Sequence, residues 1–190
     1  MISQVYGSFE RWPEALEACQ KTLQLQNAPD REYPVESFFM WQGQCLSKLS
    51  RHDEAIESYR LVTDLEPKHV DAYHELGCSY AELGRYKDAG AAYEREIELR
   101  TATHSRGDEK GRTKLSQAYE ALGKAYLLDK RLREAEWGFR QAIGLTPNSP
   151  QAHAGLAAVC KEMDNASEAE KERGLASELE CTLSSKGKGR

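Results

Sequence analysis

A recurrence every 34 residues sets what this chain can become. Gly43 and Gly77, Ala55 and Ala89, and Tyr59 and Tyr93 are each separated by that interval. Gly77 to Gly123, Ala89 to Ala135 and Tyr93 to Phe139 are all separated by 46, the same interval with 12 residues inserted. Gly123 to Ala157 and Ala135 to Ala169 then return to 34. Three landmarks that move together mark one structural unit used repeatedly, and a period of roughly 20 to 50 residues belongs to arrays of stacked supersecondary units.

Within a unit the apolar spacing is helical. Tyr73, Leu76, Tyr80 and Leu83 recur every three or four residues, a break follows at Gly84-Arg85, and a second pattern runs from Lys87 to Leu99. A small residue at 77 lets the second helix approach the first, Ala89 does the same from the other side, and Tyr93 fills the space beyond. Pro67 and Pro147 stand where one unit hands over to the next, where proline stops a helix and fixes the turn. Nothing in the pattern suggests strands, so the expected fold class is all-α.

These residues resemble the tetratricopeptide repeat. The third full unit carries Tyr119, Leu122, Gly123, Tyr126, Ala135, Phe139, Ala142 and Pro147. The second carries Tyr73, Leu76, Gly77, Tyr80, Ala89 and Tyr93, and departs at Glu96 and Thr101. The first has Phe39, Gly43, Ala55, Tyr59 and Pro67, with Gln42, Leu46 and Val62 as departures. The fourth is degenerate: His153, Leu156, Ala157, Cys160, Ala169 and Ala176 fit, and Arg173 stands where an aromatic is usual. The resemblance implies a right-handed superhelical solenoid of helix-turn-helix units. The boundaries are 36–69, 70–103, 116–149 and 150–183, with an insertion at 104–115 and a tail at 184–190 expected to be disordered. The insertion reads first as a solvated connector, with a lengthening of the flanking helices as the other reading. Residues 1–29 match the second helix of a partial unit. Either the chain begins mid-repeat or it is a piece of a longer array, and an uncapped apolar edge favours the second.

In this family the first helices line a concave groove that holds peptides or partner helices. Carried over by position, the groove set is Met40, Trp41, Gln44, Lys48, Asp71, His74, Glu75, Cys78, Glu82, Glu120, Lys124, Leu128 and Gln151. Trp41 is either a partner anchor or a packing residue against the partial unit. The family's clamp for the C-terminal carboxylate of heat-shock chaperones would fall on Met40, Gln44, Glu75, Gln117 and Ala121, which include no cation, so no such clamp is expected. Asp71, Glu75, Glu82 and Glu120 make the middle acidic, which attracts a basic or amide-rich segment. The rival reading is a structural or self-association module that docks, as a homo-oligomer or against another domain, through its open repeat edges.

Other classes of function find little support. The net charge is −5 and the only basic cluster is Lys186, Lys188 and Arg190, which argues against nucleic-acid binding. No apolar run reaches the length of a membrane helix. Met1 to Tyr6 lacks the basic and apolar regions of a signal peptide, and the five cysteines, at 19, 45, 78, 160 and 181, form no CxxC pair, so a cytoplasmic location with reduced thiols is expected. His74 and Cys78 share a helical face, but two ligands fall short of the four a structural zinc site needs. Phosphate-binding and nucleophile-elbow motifs are missing. The reading is a non-catalytic protein-interaction scaffold with no cofactor.

Overall fold

The computed structural model describes residues 12–25, 34–103 and 108–187. Among these residues there are nine α-helices and no strand: α1 (Trp12–Leu25), α2 (Val35–Lys48), α3 (His52–Leu65), α4 (Val70–Glu82), α5 (Tyr86–Thr103), α6 (Glu109–Leu128), α7 (Leu132–Leu145), α8 (Pro150–Glu162) and α9 (Ala166–Gly187). Two compact units divide the chain, Met1–Ala92 and Tyr93–Arg190.

In the first unit, α1 packs on α2, α2 on α3, and α3 on α4. The small residues at the landmark positions do what their size permits. A Cβ placed on Gly43 would lie 2.5 Å from the Tyr59 ring, so only glycine lets that ring, which is wholly buried, lie flat on α2. Ala55, Ile56 and Val62 complete the buried face of α3. The second unit repeats the device. Phe139 of α7 lies against both Gly123 of α6 and Gly155 of α8, where added Cβ atoms would come within 3.1 and 2.2 Å of its ring. Gly138 brings the backbones of α7 and α6 together, with Gly123 Cα 3.1 Å from where a Cβ would stand.

The turn between the paired helices is the same four times. Arg51, Arg85, Arg131 and Asn165 donate their backbone N–H to the carbonyls of Leu46, Tyr80, Tyr126 and Cys160, at 2.8 to 2.9 Å. The residue before each lies in the left-handed region: Ser50 (φ 58°), Gly84 (72°), Lys130 (62°) and Asp164 (58°). Each of these also donates to the carbonyl three residues back, completing a Schellman motif that satisfies helix-end carbonyls. Only one of the four is glycine. Gly84→Ala is therefore expected to lower stability by about 1 kcal/mol, and Lys130→Gly to be neutral or stabilising, both read by urea denaturation. Equal losses from the two would contradict the strain argument.

Several sequence expectations change. The insertion is helical on its far side: Asp108 caps α6 by accepting from Gly111 N at 2.9 Å, so Glu109 to Leu115 extend the helix. α5 runs to Thr103, and 104–107 lie outside the described residues. α9 continues through Gly187, past the expected start of the tail at 184, because no proline or left-handed turn stops it. Residues 188–190, like 1–11 and 26–33, lie outside the described set. In α2 the fully buried aromatic is Phe38 rather than Phe39, which is half-buried.

Candidate functional site

The first helices of both compact units leave part of their surface exposed. In the first unit, α2 contributes Trp41 and Gln44, both half-buried, and Lys48, exposed. Trp41 meets Phe38 edge to face, with ring centroids 5.4 Å apart, so its ring is partly used in packing. Met40, assigned to the groove from the sequence, is instead a core side chain at 8% exposure. Within the first unit α2 meets α1 and α4 in addition to α3, which leaves it few open positions.

α4 carries the acidic set. The His69 ring accepts from Ala72 N at 3.1 Å and caps the helix start. Asp71 and Glu82 are exposed, while His74, Glu75 and Cys78 are half-buried on the same side, with Cys78 Sγ 3.7 Å from His74 Nε2. Behind them, burial first and then the charge of Glu75 hold the Tyr59 phenol above its ordinary range. Glu75 is itself half-buried, so its charge is less screened by solvent than that of a fully exposed carboxylate.

In the second unit, α6 presents Glu120, half-buried, with Lys124 and Leu128 exposed, and α8 presents Gln151, exposed. Glu120 is not a free acid. It accepts a hydrogen bond from Ser149 Oγ at 2.6 Å, and the same oxygen accepts from Ala152 N to cap α8. Its carboxylate therefore holds a helix start in place. Tyr126 of α6 donates to Glu94, stacks under Arg131 at 4.2 Å, and is pushed up to about 12 by burial and then by that carboxylate. Arg85 covers Tyr80 at 4.6 Å in the equivalent place of the first unit.

No group of three or more His, Cys, Asp and Glu side chains among the described residues is placed to hold a metal ion. Cys45 is buried beside Cys19, and a hydrogen bond between the two thiols, with burial, holds Cys45 well above the usual thiol range. Burial raises Cys160 as well. Sequence reasoning missed one arrangement entirely. His153 of α8 and Glu172 of α9 are both buried, with His153 Nδ1 2.6 Å from Glu172 Oε2 and Nε2 3.0 Å from the Pro147 carbonyl oxygen.

The family model described as the tetratricopeptide repeat matches residues 42–103, which run from α2 to the end of α5. That stretch carries tetratricopeptide repeats. Over 99 residues it is 32% identical to the protein O-mannosyl-transferase TMTC1 of Homo sapiens, a match covering 52% of this chain and 11% of that protein. It is 30% identical to the small glutamine-rich tetratricopeptide repeat-containing protein 2 of Mycosarcoma maydis, over 52% of this chain and 25% of that protein. The chain thus spans only a minor part of the relatives it matches. MamA from Desulfovibrio magneticus RS-1 has the same fold, with a TM-score of 0.78, 22% identity, and coverage of 95% of this chain and 92% of that one. Tetratricopeptide repeats serve broadly as protein-interaction scaffolds. No helix among the described residues is long and apolar enough to cross a membrane.

Proposed function

We propose that this chain is a non-catalytic scaffold that binds a peptide or partner helix on its first-helix faces, and that the face of α4 selects a basic or amide-rich segment. One observation carries the reading: Asp71, Glu75 and Glu82 share α4 with His74 and Cys78, and the half-buried Glu75 adjoins the buried Tyr59 phenol. A carboxylate partly shielded from water, as Glu75 is, gives up less on meeting a cation, and the three together repel an acidic segment. Trp41, Gln44 and Lys48 on α2 would add an aromatic edge and polar contacts. In the second unit Lys124, Leu128 and Gln151 are the exposed candidates, and Glu120 is already engaged. Free thiols, three of them buried, suit a reducing compartment such as the cytoplasm.

The test is isothermal titration with matched basic, amide-rich and acidic peptides. Basic peptides are expected to bind best, and Glu75→Lys to weaken them about tenfold or more. Equal affinity for all three, or no effect of Glu75→Lys, would overturn the reading.

A further inference from the structure

The fourth unit lacks a side chain that its predecessors use in the same way. Position 16 beyond the landmark small residue is Tyr59 after Gly43, Phe139 after Gly123, and Arg173 after Ala157. Tyr59 and Phe139 fill the space beside that small residue, and Phe139 reaches on to the next first helix at Gly155. Arg173 does not fill it. Its side chain is 78% exposed and reaches only a loose contact with Glu170, at 3.8 Å. Between α8 and α9 this leaves an open crevice of about 480 Å³, walled by Ala154, Ala157 and Ala158 on one side and Ala166 and Ala169 on the other. Lys161, Glu170 and Arg173 form its rim. Lys161 makes no side-chain hydrogen bond or ion pair among the described residues, so the rim keeps an uncompensated positive charge.

We infer that this crevice is a socket for an aromatic side chain of a partner protein, carried between carboxylates. The alanine walls suit a flat apolar ring, because that is what the equivalent place in α3 and α7 holds. The rim selects the flanks, since a carboxylate beside the ring meets Lys161 on one side and draws Arg173 from its loose contact on the other. This chemistry is opposite to that proposed for α4, and the socket draws half its wall from a second helix, so the two sites stand or fall separately.

The experiment uses the whole chain with ¹³C-labelled alanine methyls, titrated with a synthetic peptide of the type Ala-Glu-Ala-Glu-Phe-Glu-Ala-Glu-Ala. Saturable upfield ring-current shifts are expected at Ala154, Ala157, Ala158 and Ala169. Replacing the peptide phenylalanine by alanine should weaken binding about thirtyfold or more, the usual loss of a buried anchor. Lysine in place of the glutamates should weaken it further. Arg173→Phe closes the socket from within, so it should abolish binding while raising the melting temperature, which separates lost binding from lost folding. Ala158→Glu, at an exposed position, should weaken the acidic peptide without unfolding the chain. Shifts absent from the socket methyls, equal binding of the alanine peptide, or unchanged binding by Arg173→Phe would overturn the proposal. Light scattering over a dilution series is expected to give a monomer at all concentrations. The ring a second copy could offer is Trp137 of α7, which is 49% exposed, so a dimer lost in both Arg173→Phe and Trp137→Ala would also overturn the proposal, by assigning the socket to a second copy.

Discussion

His153→Ala is expected to destabilise the Tyr93–Arg190 unit by about 3 to 5 kcal/mol, the usual cost of removing one partner from a buried ionisable pair. His153 Nε2 donates to the Pro147 carbonyl oxygen, and the 2.6 Å contact between Nδ1 and Glu172 Oε2 holds one proton between two buried groups. Without the imidazole, Glu172 is left at 7% exposure with no partner to share its charge. Glu172→Ala should cost less, about 1 to 3 kcal/mol, because His153 keeps its bond to Pro147 and only Nδ1 is left buried without a partner. The double variant His153→Leu with Glu172→Leu is expected to recover most of the loss, because apolar side chains of similar volume need no partner. Urea denaturation followed by circular dichroism measures all three. If a single variant lost less than about 1 kcal/mol, solvent would be reaching the pair, and the interface of α8 with α9 would be looser than described.

Phe139→Ala should have an effect of the same size, about 3 to 5 kcal/mol, since it empties the space between α6, α7 and α8. Gly155→Ala should cost about 1 to 3 kcal/mol by driving a Cβ into that ring. The combination tests the geometry more sharply than either change alone. Once the ring is gone, the added methyl occupies part of the void, so Gly155→Ala should become neutral or favourable in the Phe139→Ala background. Strict additivity in that double-mutant cycle would mean the two residues do not share one space.

The parts that were legible in the sequence are those where local spacing and close packing coincide. Gly43, Ala55 and Tyr59 could be read because one helix pair needs a small, a small and a large residue at set intervals, and the need recurs. The assignment of Met40 failed because it was carried over by position from the family pattern, whereas exposure along α2 depends on how that helix meets α1, α3 and α4 together. The left-handed turn positions were hidden for a different reason. Gly84 signals one, whereas Ser50, Lys130 and Asp164 adopt the same conformation without the residue that advertises it. The pairing of His153 with Glu172 depends on which faces of α8 and α9 meet, and 19 residues of separation carry no period that would reveal it. Of the candidate site, the acidic character of α4 was visible in the residue types, but the engagement of Glu120 by Ser149 required coordinates. Arg173 was recognisable as a departure from the pattern, yet the open volume it leaves was not.

The packing order within each unit bears on how the chain acquires its structure. In Met1–Ala92, α1 meets α2, α2 meets α3, α3 meets α4, and α2 also touches α4; in Tyr93–Arg190 the series from α6 to α9 follows the same scheme, with α6 touching α8. These contacts join helices that are neighbours or next neighbours along the chain, so little loop entropy is lost before a contact forms. Such local topology places folding of each unit in the fast range, on the order of microseconds to milliseconds. A helix pair emerging from the ribosome can close on its predecessor without waiting for distant sequence, and little apolar surface stays open during synthesis.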